Sequence, residues 1–215
     1  MSATAQGTTL SRERVAAAAL AFLDSHGLDG FSMRRLAREL GVGTMTLYHY
    51  FPSRRDLLDG VVEIAFTEDD PSTLEGSWRD RLRSLSRAGR AALSRHPGVA
   101  EIRARQPILQ PDALRFSEHA LEALEAAGFE RDEAVKAFRL LFTYTLGFAI
   151  LSPEAAEAEA RAGARAALAS LPAHYYPRLS EAVDEAAEAM AGDVVFDYGL
   201  ERILDGLEAR LAAAT

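Results

Sequence analysis

The chain has 215 residues, of which 48% are hydrophobic and 26% charged, the balance of an ordinary globular protein with room for one large domain or two small ones. It has no cysteine, which excludes disulfides, thiolate catalysis and cysteine-ligated metals. The net charge of −8 is uneven: residues 1–60 carry 7 arginines and 6 acids (+1), the rest 17 basic and 26 acidic residues (−9), so any surface for a polyanion belongs near the N-terminus.

Met1 to Leu10 is polar, with neither a basic start nor an apolar stretch, so a disordered lead-in is expected in place of a signal peptide. No apolar run reaches the roughly 20 residues of a membrane span. The longest, Ala137 to Leu151, is shorter and contains Arg139. The expected location is the cytoplasm, without membrane contact. β-Branched residues are sparse and helical periodicity runs almost throughout, which predicts an all-α fold.

Ser11 suits the cap of a first helix whose Val15, Ala19, Phe22 and Leu23 share one face, with Gly27 as its stop. Ser32 suits the cap of a second, with Met33, Leu36, Ala37 and Leu40 turned inward and Gly41 at its end. Gly43 or Thr44 opens a short third helix that Pro52 ends, and Ser53 with Asp56 forms a capping-box pattern for a fourth, running to about Phe66. Asp69, Asp70 and Pro71 mark a break. Beyond it, helices are predicted at about 74–95, 97–105, 112–127, 131–151, 154–170, 177–191 and 193–213, separated by prolines. The alanine-rich stretch 153–173 suits either a helix or a mobile connector.

The segment Phe31 to Leu58, FSMRRLARELGVGTMTLYHYFPSRRDLL, is the informative one. Two short helices are joined by Gly41-Val42-Gly43, where Gly41 supplies a left-handed residue and Val42 points back into a small core. The second of them has Leu47 as its clear inward anchor. Its other positions, Thr44, Met45, Thr46, Tyr48, His49 and Tyr50, suit a major groove, where side chains must reach base edges and phosphates together.

This segment resembles the tetracycline-repressor (TetR) family. The resemblance rests on Leu-Ala-x-x-Leu-Gly-Val at 36–42, Thr-Leu-Tyr-x-Tyr-Phe at 46–51 and Leu57-Leu58. The closing run FDYGLERILDGLEARL is similar to the last helix of the tetracycline-repressor branch. The resemblance implies an N-terminal three-helix helix-turn-helix domain over 11–60 and a helical ligand-binding and dimerisation domain over 61–215. It implies base contacts by Arg34, Thr44, Met45 and His49, and phosphate contacts by Thr46, Tyr48, Tyr50 and Arg54. Gly43 departs from the usual Ser or Thr cap, and Met45 stands where a small residue is common, so no relative's base preference transfers. Tyr48 and Tyr50 also suit packing against the fourth helix. Arg35 and Arg38 read as solvated charges.

In the C-terminal part, 138, 141, 142, 145, 146 and 149 form one apolar stripe, with Leu140, Tyr144, Phe148 and Leu151 on other faces, so this helix is buried on more than one side. The last helix has Leu200, Ile203, Leu204, Leu207 and Leu211 on one stripe. The resemblance makes these two helices half of a four-helix dimer interface, through Phe138, Phe142, Leu200, Ile203, Leu204 and Leu207. A two-fold homodimer would match a palindromic double-stranded DNA operator; the competing reading is that both stripes are core of a single protomer. The resemblance also implies a cavity for a small apolar or amphipathic ligand, with Trp78, Phe116, His119, Phe142, Tyr144 and Phe148 as candidate lining. No cofactor or metal is expected. Ile102 stands where the tetracycline repressor has a metal-chelating histidine, and His96, His119 and His174 show no ligand spacing. There is no glycine-rich phosphate loop, HExxH or nucleophile elbow, so an enzyme is not expected. The expectation is a sequence-specific DNA-binding regulator that represses transcription and is released from its operator by a small-molecule ligand. The alternative is a helical adaptor that binds only protein and keeps a vestigial helix-turn-helix.

Overall fold

The computed structural model describes residues 10–67, 75–105, 114–151, 157–189 and 193–213. The expected lead-in lies, apart from Leu10, outside the described residues. Twelve helices occur among the described residues: α1 (Arg12–His26), α2 (Met33–Glu39), α3 (Thr44–Tyr50), α4 (Arg54–Thr67), α5 (Trp78–Arg95), α6 (Pro97–Arg105), α7 (Arg115–Ala126), α8 (Arg131–Leu151), α9 (Glu157–Ala169), α10 (Pro177–Glu181), α11 (Val183–Ala189) and α12 (Asp193–Ala212).

Local chemistry sets the boundaries. The Ser11 hydroxyl accepts from the Arg14 amide, and Ser32 does the same for Arg35. Ser53 accepts from the Asp56 amide and donates to its carboxylate. Ser77 and Asp80 form a reciprocal capping box at the start of α5. Gly27 ends α1 at φ +67°. The predicted helix at 177–191 is two pieces: the chain leaves helical geometry at Ala182, with φ −117° and ψ 34°. The alanine-rich stretch is helical over Glu157–Ala169, and α9 packs against α11, with Arg161 and Arg165 paired to Glu188 and Asp184.

Two apolar cores organise the rest. The N-terminal core joins α1 to α4 through residues such as Phe22, Leu23, Leu36, Leu47, Phe51 and Leu58, and it also takes in Val99, Ala100 and Ile102 of α6. The C-terminal core joins α5, α7, α8 and α12 through Leu82, Leu124, Leu141, Phe196, Leu200 and Leu204. Glycine permits the closest approaches. A Cβ on Gly60 would lie 2.8 Å from Phe51, and one on Gly199 would collide with the Tyr144 hydroxyl. The most apolar 18 residues of the 21-residue α8 have a mean hydropathy of 1.5, so by length and composition alone the helix is long and apolar enough to cross a membrane. Its Ala134, Ala137, Leu141, Thr145 and Ala149 nevertheless face the protein interior, as in the central helix of a folded core.

Candidate DNA-binding surface and central pocket

The turn between α2 and α3 follows from two residues. Gly41 takes φ +66°, a conformation costly for residues with a Cβ, and the Val42 amide donates to the Ala37 carbonyl at 2.9 Å. α3 starts at Gly43 without a side-chain cap. Within α3 only Leu47 is buried, and it holds the helix on the N-terminal core. Met45, Thr46, Tyr48 and His49 are exposed, and Thr44 is half-buried. At 79% exposure, Met45 is the most open large apolar side chain of the helix, an arrangement with no value to the protomer's own core.

The cationic residues split into two groups. Arg12 spans the end of α3: its guanidinium lies 4.1 Å from the Phe51 ring centroid and donates to the Tyr50 carbonyl at 2.7 Å. Arg35 donates to the Gly30 carbonyl and lies over Phe22. Arg34, Arg38 and Arg54 are exposed beside the open face, with Arg54 carried 5.5 Å above the Phe31 ring at the start of α4. Tyr50 differs from the other seven sequence candidates. It is half-buried, and its hydroxyl donates to the Leu10 carbonyl at 2.7 Å, so its first role is to tie α3 to the start of α1.

α6 links this unit to the rest. Gly98 fits against Leu23, where a Cβ would lie 3.0 Å from the Leu23 Cβ. His96 meets Asp24 at 2.8 Å, and Arg105 meets Asp29 at 2.7 Å, which holds the Asp29 carboxyl below its usual range. Ile102, the position matched to a chelating histidine, is fully buried in the N-terminal core.

At the seam between the two cores lies a cavity of about 70 Å³. By the same measure a single water takes about 10–15 Å³. Phe66 of α4, Leu82, Leu85 and Gly89 of α5, Phe116 and Ala120 of α7, and Phe138, Leu141 and Phe142 of α8 make it predominantly apolar. Ser86, Ser117, Thr145 and Arg103 supply its polar atoms. Of the six lining residues expected from sequence, Phe116 and Phe142 are there. The other four are elsewhere. Trp78 stacks edge-on with Phe129, and His119 sits 3.6 Å from Glu122 on its own helix. The Tyr144 hydroxyl donates toward the Val195 and Phe196 carbonyls at 3.1 and 2.9 Å, and burial raises its pKa. Phe148 packs on Phe196 and under the Arg90 guanidinium. Phe66 and Arg103 were missed. The sequence marks Phe66 only as a helix end, and nothing in the short α6 sequence separates Arg103 from Arg105.

The residues expected at the dimer interface already have partners within the protomer. Leu200 and Leu204 have no exposed surface, and Leu207 is 8% exposed, all three packed in the protomer's own core. A side chain already removed from water has nothing left to bury in a partner. Ile203 is half-buried against the same core, and Phe138 and Phe142 face the pocket. The apolar surface left open on these helices comprises Val135, Leu140, Ile150 and Leu151 of α8 with Val194 and Tyr198 of α12. Side chains added at Gly147 or Gly206 would meet open space.

Known proteins share both halves of this arrangement. Residues 15–61 match the family described as bacterial regulatory proteins, tetR family, and residues 70–211 match the tetracyclin repressor-like C-terminal domain. The chain is 34% identical to the HTH-type transcriptional repressor DrrR1 of Streptomyces coeruleorubidus, over 95% of this chain and 79% of that protein. It is 33% identical to the class A tetracycline repressor from transposon 1721 of Escherichia coli, over 94% of this chain and 93% of that one. The crystal structure of the Streptomyces coelicolor TetR family protein ActR in complex with actinorhodin superposes with a TM-score of 0.80 and 30% identity, covering 97% of this chain and all of that one. With one family description matching two thirds of its length and the other its helix-turn-helix, the chain belongs to the TetR family of transcriptional regulators.

Proposed function

We propose that this protein is a homodimeric repressor that binds a palindromic operator through α2 and α3 and is released by a small, mostly apolar molecule entering the seam cavity. The observation that carries the reading is the position of α6. Its Val99, Ala100 and Ile102 belong to the core beneath α3, while its Arg103 lines the cavity. A molecule that fits only after this wall moves prefers a different reader geometry, the condition under which a ligand shifts an equilibrium.

Arg34, Thr44, Met45 and His49 are assigned to base edges, and Thr46, Tyr48 and Arg54 to phosphates; all but the half-buried Thr44 are exposed, on α3 or on the neighbouring ends of α2 and α4. The open apolar faces of α8 and α12 are assigned to the dimer contact, because contiguous exposed apolar surface of this kind marks association. A two-fold axis there would present two readers to the two halves of a palindrome. The names of the relatives fit: two are called repressors, and ActR was crystallised with a small molecule. We assign its work to the cytoplasm, as a DNA-binding role requires.

The test is selection of binding sites from random DNA, followed by fluorescence anisotropy on the selected site. The reading expects an inverted repeat, steep loss of affinity with salt, and release by some members of a panel of apolar and amphipathic compounds. Recovery of no preferred sequence would refute it.

A further inference from the structure

We propose that the cavity is built for an apolar molecule carrying an anionic group, a carboxylate or an equivalent acid, and that Arg103 is the residue that holds the anion. This rests on the reading of the seam cavity as the effector site and specifies what that effector must carry.

Arg103 is half-buried, lines the cavity, and has no carboxylate within ion-pair distance among the described residues. The other arginine of α6 behaves differently: Arg105 has Asp29 and Glu101. The Arg103 guanidinium is instead laid on the Phe142 ring, 4.7 Å from its centroid, and Arg139 approaches the same ring at 5.4 Å. Two cations therefore share one aromatic side chain, and that side chain is itself a wall of the cavity. Burial first, and repulsion from Arg139 second, push the Arg103 pKa below its usual value.

A buried charge is ordinarily paired, and leaving one without an anion is costly. The aromatic face offsets only part of that cost. Two serines and a threonine are the other polar groups in the wall, and none of them can neutralise a cation. The remaining lining is apolar, so the group that would complete the site has to arrive attached to an apolar body. Guanidinium geometry suits a planar carboxylate, which it can grip with two parallel hydrogen bonds. A neutral molecule of equal shape would fill the cavity and leave the cation as it was.

The experiment uses two dyes of similar apolar body and different charge: 1-anilinonaphthalene-8-sulfonate, an anion, and N-phenyl-1-naphthylamine, which lacks the sulfonate. Both are titrated by fluorescence into the full chain and into Arg103→Gln, Arg103→Lys and Arg139→Gln, with circular dichroism melts confirming that each variant is folded. The anionic dye is expected to bind the native chain about tenfold more tightly than the neutral one, the equivalent of about 1.4 kcal/mol. Arg103→Gln should abolish that preference and leave the neutral dye's affinity within about twofold, while Arg103→Lys keeps part of the preference and Arg139→Gln keeps most of it. Equal or tighter binding of the neutral dye by the native chain overturns the proposal, whether or not any variant folds. So does an anion preference that survives in a folded Arg103→Gln, or the absence of saturable binding by either dye. DNA is not in the assay, so failure here leaves operator binding untouched, and failure to bind DNA leaves the dye result standing.

Discussion

Glu201 ties the last helix to the cavity wall, and its removal should loosen the protein in a pH-dependent way. Arg83 donates to it through Nε at 2.5 Å and Nη2 at 3.0 Å, and Arg79 adds a bond at 3.1 Å, so two arginines of α5 converge on one carboxylate of α12. Those hydrogen bonds, Arg83's first, lower the Glu201 pKa from 4.5 to about 2. At about 1.4 kcal/mol per pH unit, that displacement sets an upper bound of roughly 3 kcal/mol held in the charged form. The Glu201 side chain is 29% exposed, and solvent screening brings the expected contribution down to about 1–2 kcal/mol. The sign follows from the direction of the displacement. A depressed carboxyl stabilises the fold fully above its unfolded value near 4.5, and the stabilisation fades as pH falls toward about 2. Urea unfolding of the native chain and Glu201→Gln, at one fixed protomer concentration, should show a gap of about 1–2 kcal/mol near pH 7 and less than about half of it near pH 3. A gap of the same size at both pH values would mean that the charge is not what Glu201 contributes.

Two further predictions concern the surfaces that act on partners. Arg54→Ala should weaken binding to all DNA sites alike and lower the salt slope by roughly one, whereas Arg34→Ala should cost roughly 1–3 kcal/mol on the best site and relax the preference at one base pair per half-site; a site-library measurement at two salt concentrations checks both, and an unchanged preference in Arg34→Ala would overturn the assigned orientation of α2. Tyr198→Glu, on the exposed face of α12, should halve the mass seen by light scattering while the melt stays cooperative, whereas Leu204→Ala, fully buried, should cost about 2–5 kcal/mol of stability; a Tyr198→Glu chain that keeps the dimer mass would show that this face is not the contact.

Much of the fold is legible in the sequence because its signals are local. Ser11, Ser32, Ser53 and Ser77 cap helices with their own side chains, Gly27 and Gly41 end them with positive φ, and Leu47 alone anchors α3. The reading face is legible for the same reason: in a seven-residue helix the single buried position fixes which side chains remain outside. Tyr50 is the exception, since its partner is the Leu10 carbonyl, 40 positions away. The interface is less legible, because periodicity reports that a stripe is buried and not what buries it. The most apolar stripe of α12, Leu200 to Leu207, went to the protomer's own core, and the weaker stripe of Val194 and Tyr198 was left outside. The aromatics of the C-terminal part fail for a related reason. Whether Tyr144 lines a cavity or fills a groove depends on Gly199, across a helix contact that no local pattern encodes.

On the proposed reading, the placement of the cavity would let one chain read DNA and respond to a small molecule without a dedicated hinge. Phe66, Leu93 and Leu146 border the cavity and also pack with the N-terminal core, while Leu82, Leu85 and Leu141 border it from the C-terminal core. An occupant larger than a handful of waters must push these two sets apart. The C-terminal set is braced by the arginine network between α5 and α12 and by the Tyr144 contacts. The N-terminal set is joined to the cavity through α6, whose polar ties to α1 and the turn after it are a histidine–aspartate contact and a surface arginine–aspartate pair. Surface pairs of that kind contribute little, about 0–1 kcal/mol each. What fixes α6 to the reader is instead apolar: Val99, Ala100 and Ile102 are buried in the N-terminal core and Gly98 lies against Leu23, so α6 and the reader would move together. To turn a population from 1:99 to 99:1, an occupant must favour the displaced arrangement by about 5.5 kcal/mol. A shape mismatch supplies that only if the walls resist, and on the proposed reading the wall that matters is α6, because its apolar side is part of the reader's core.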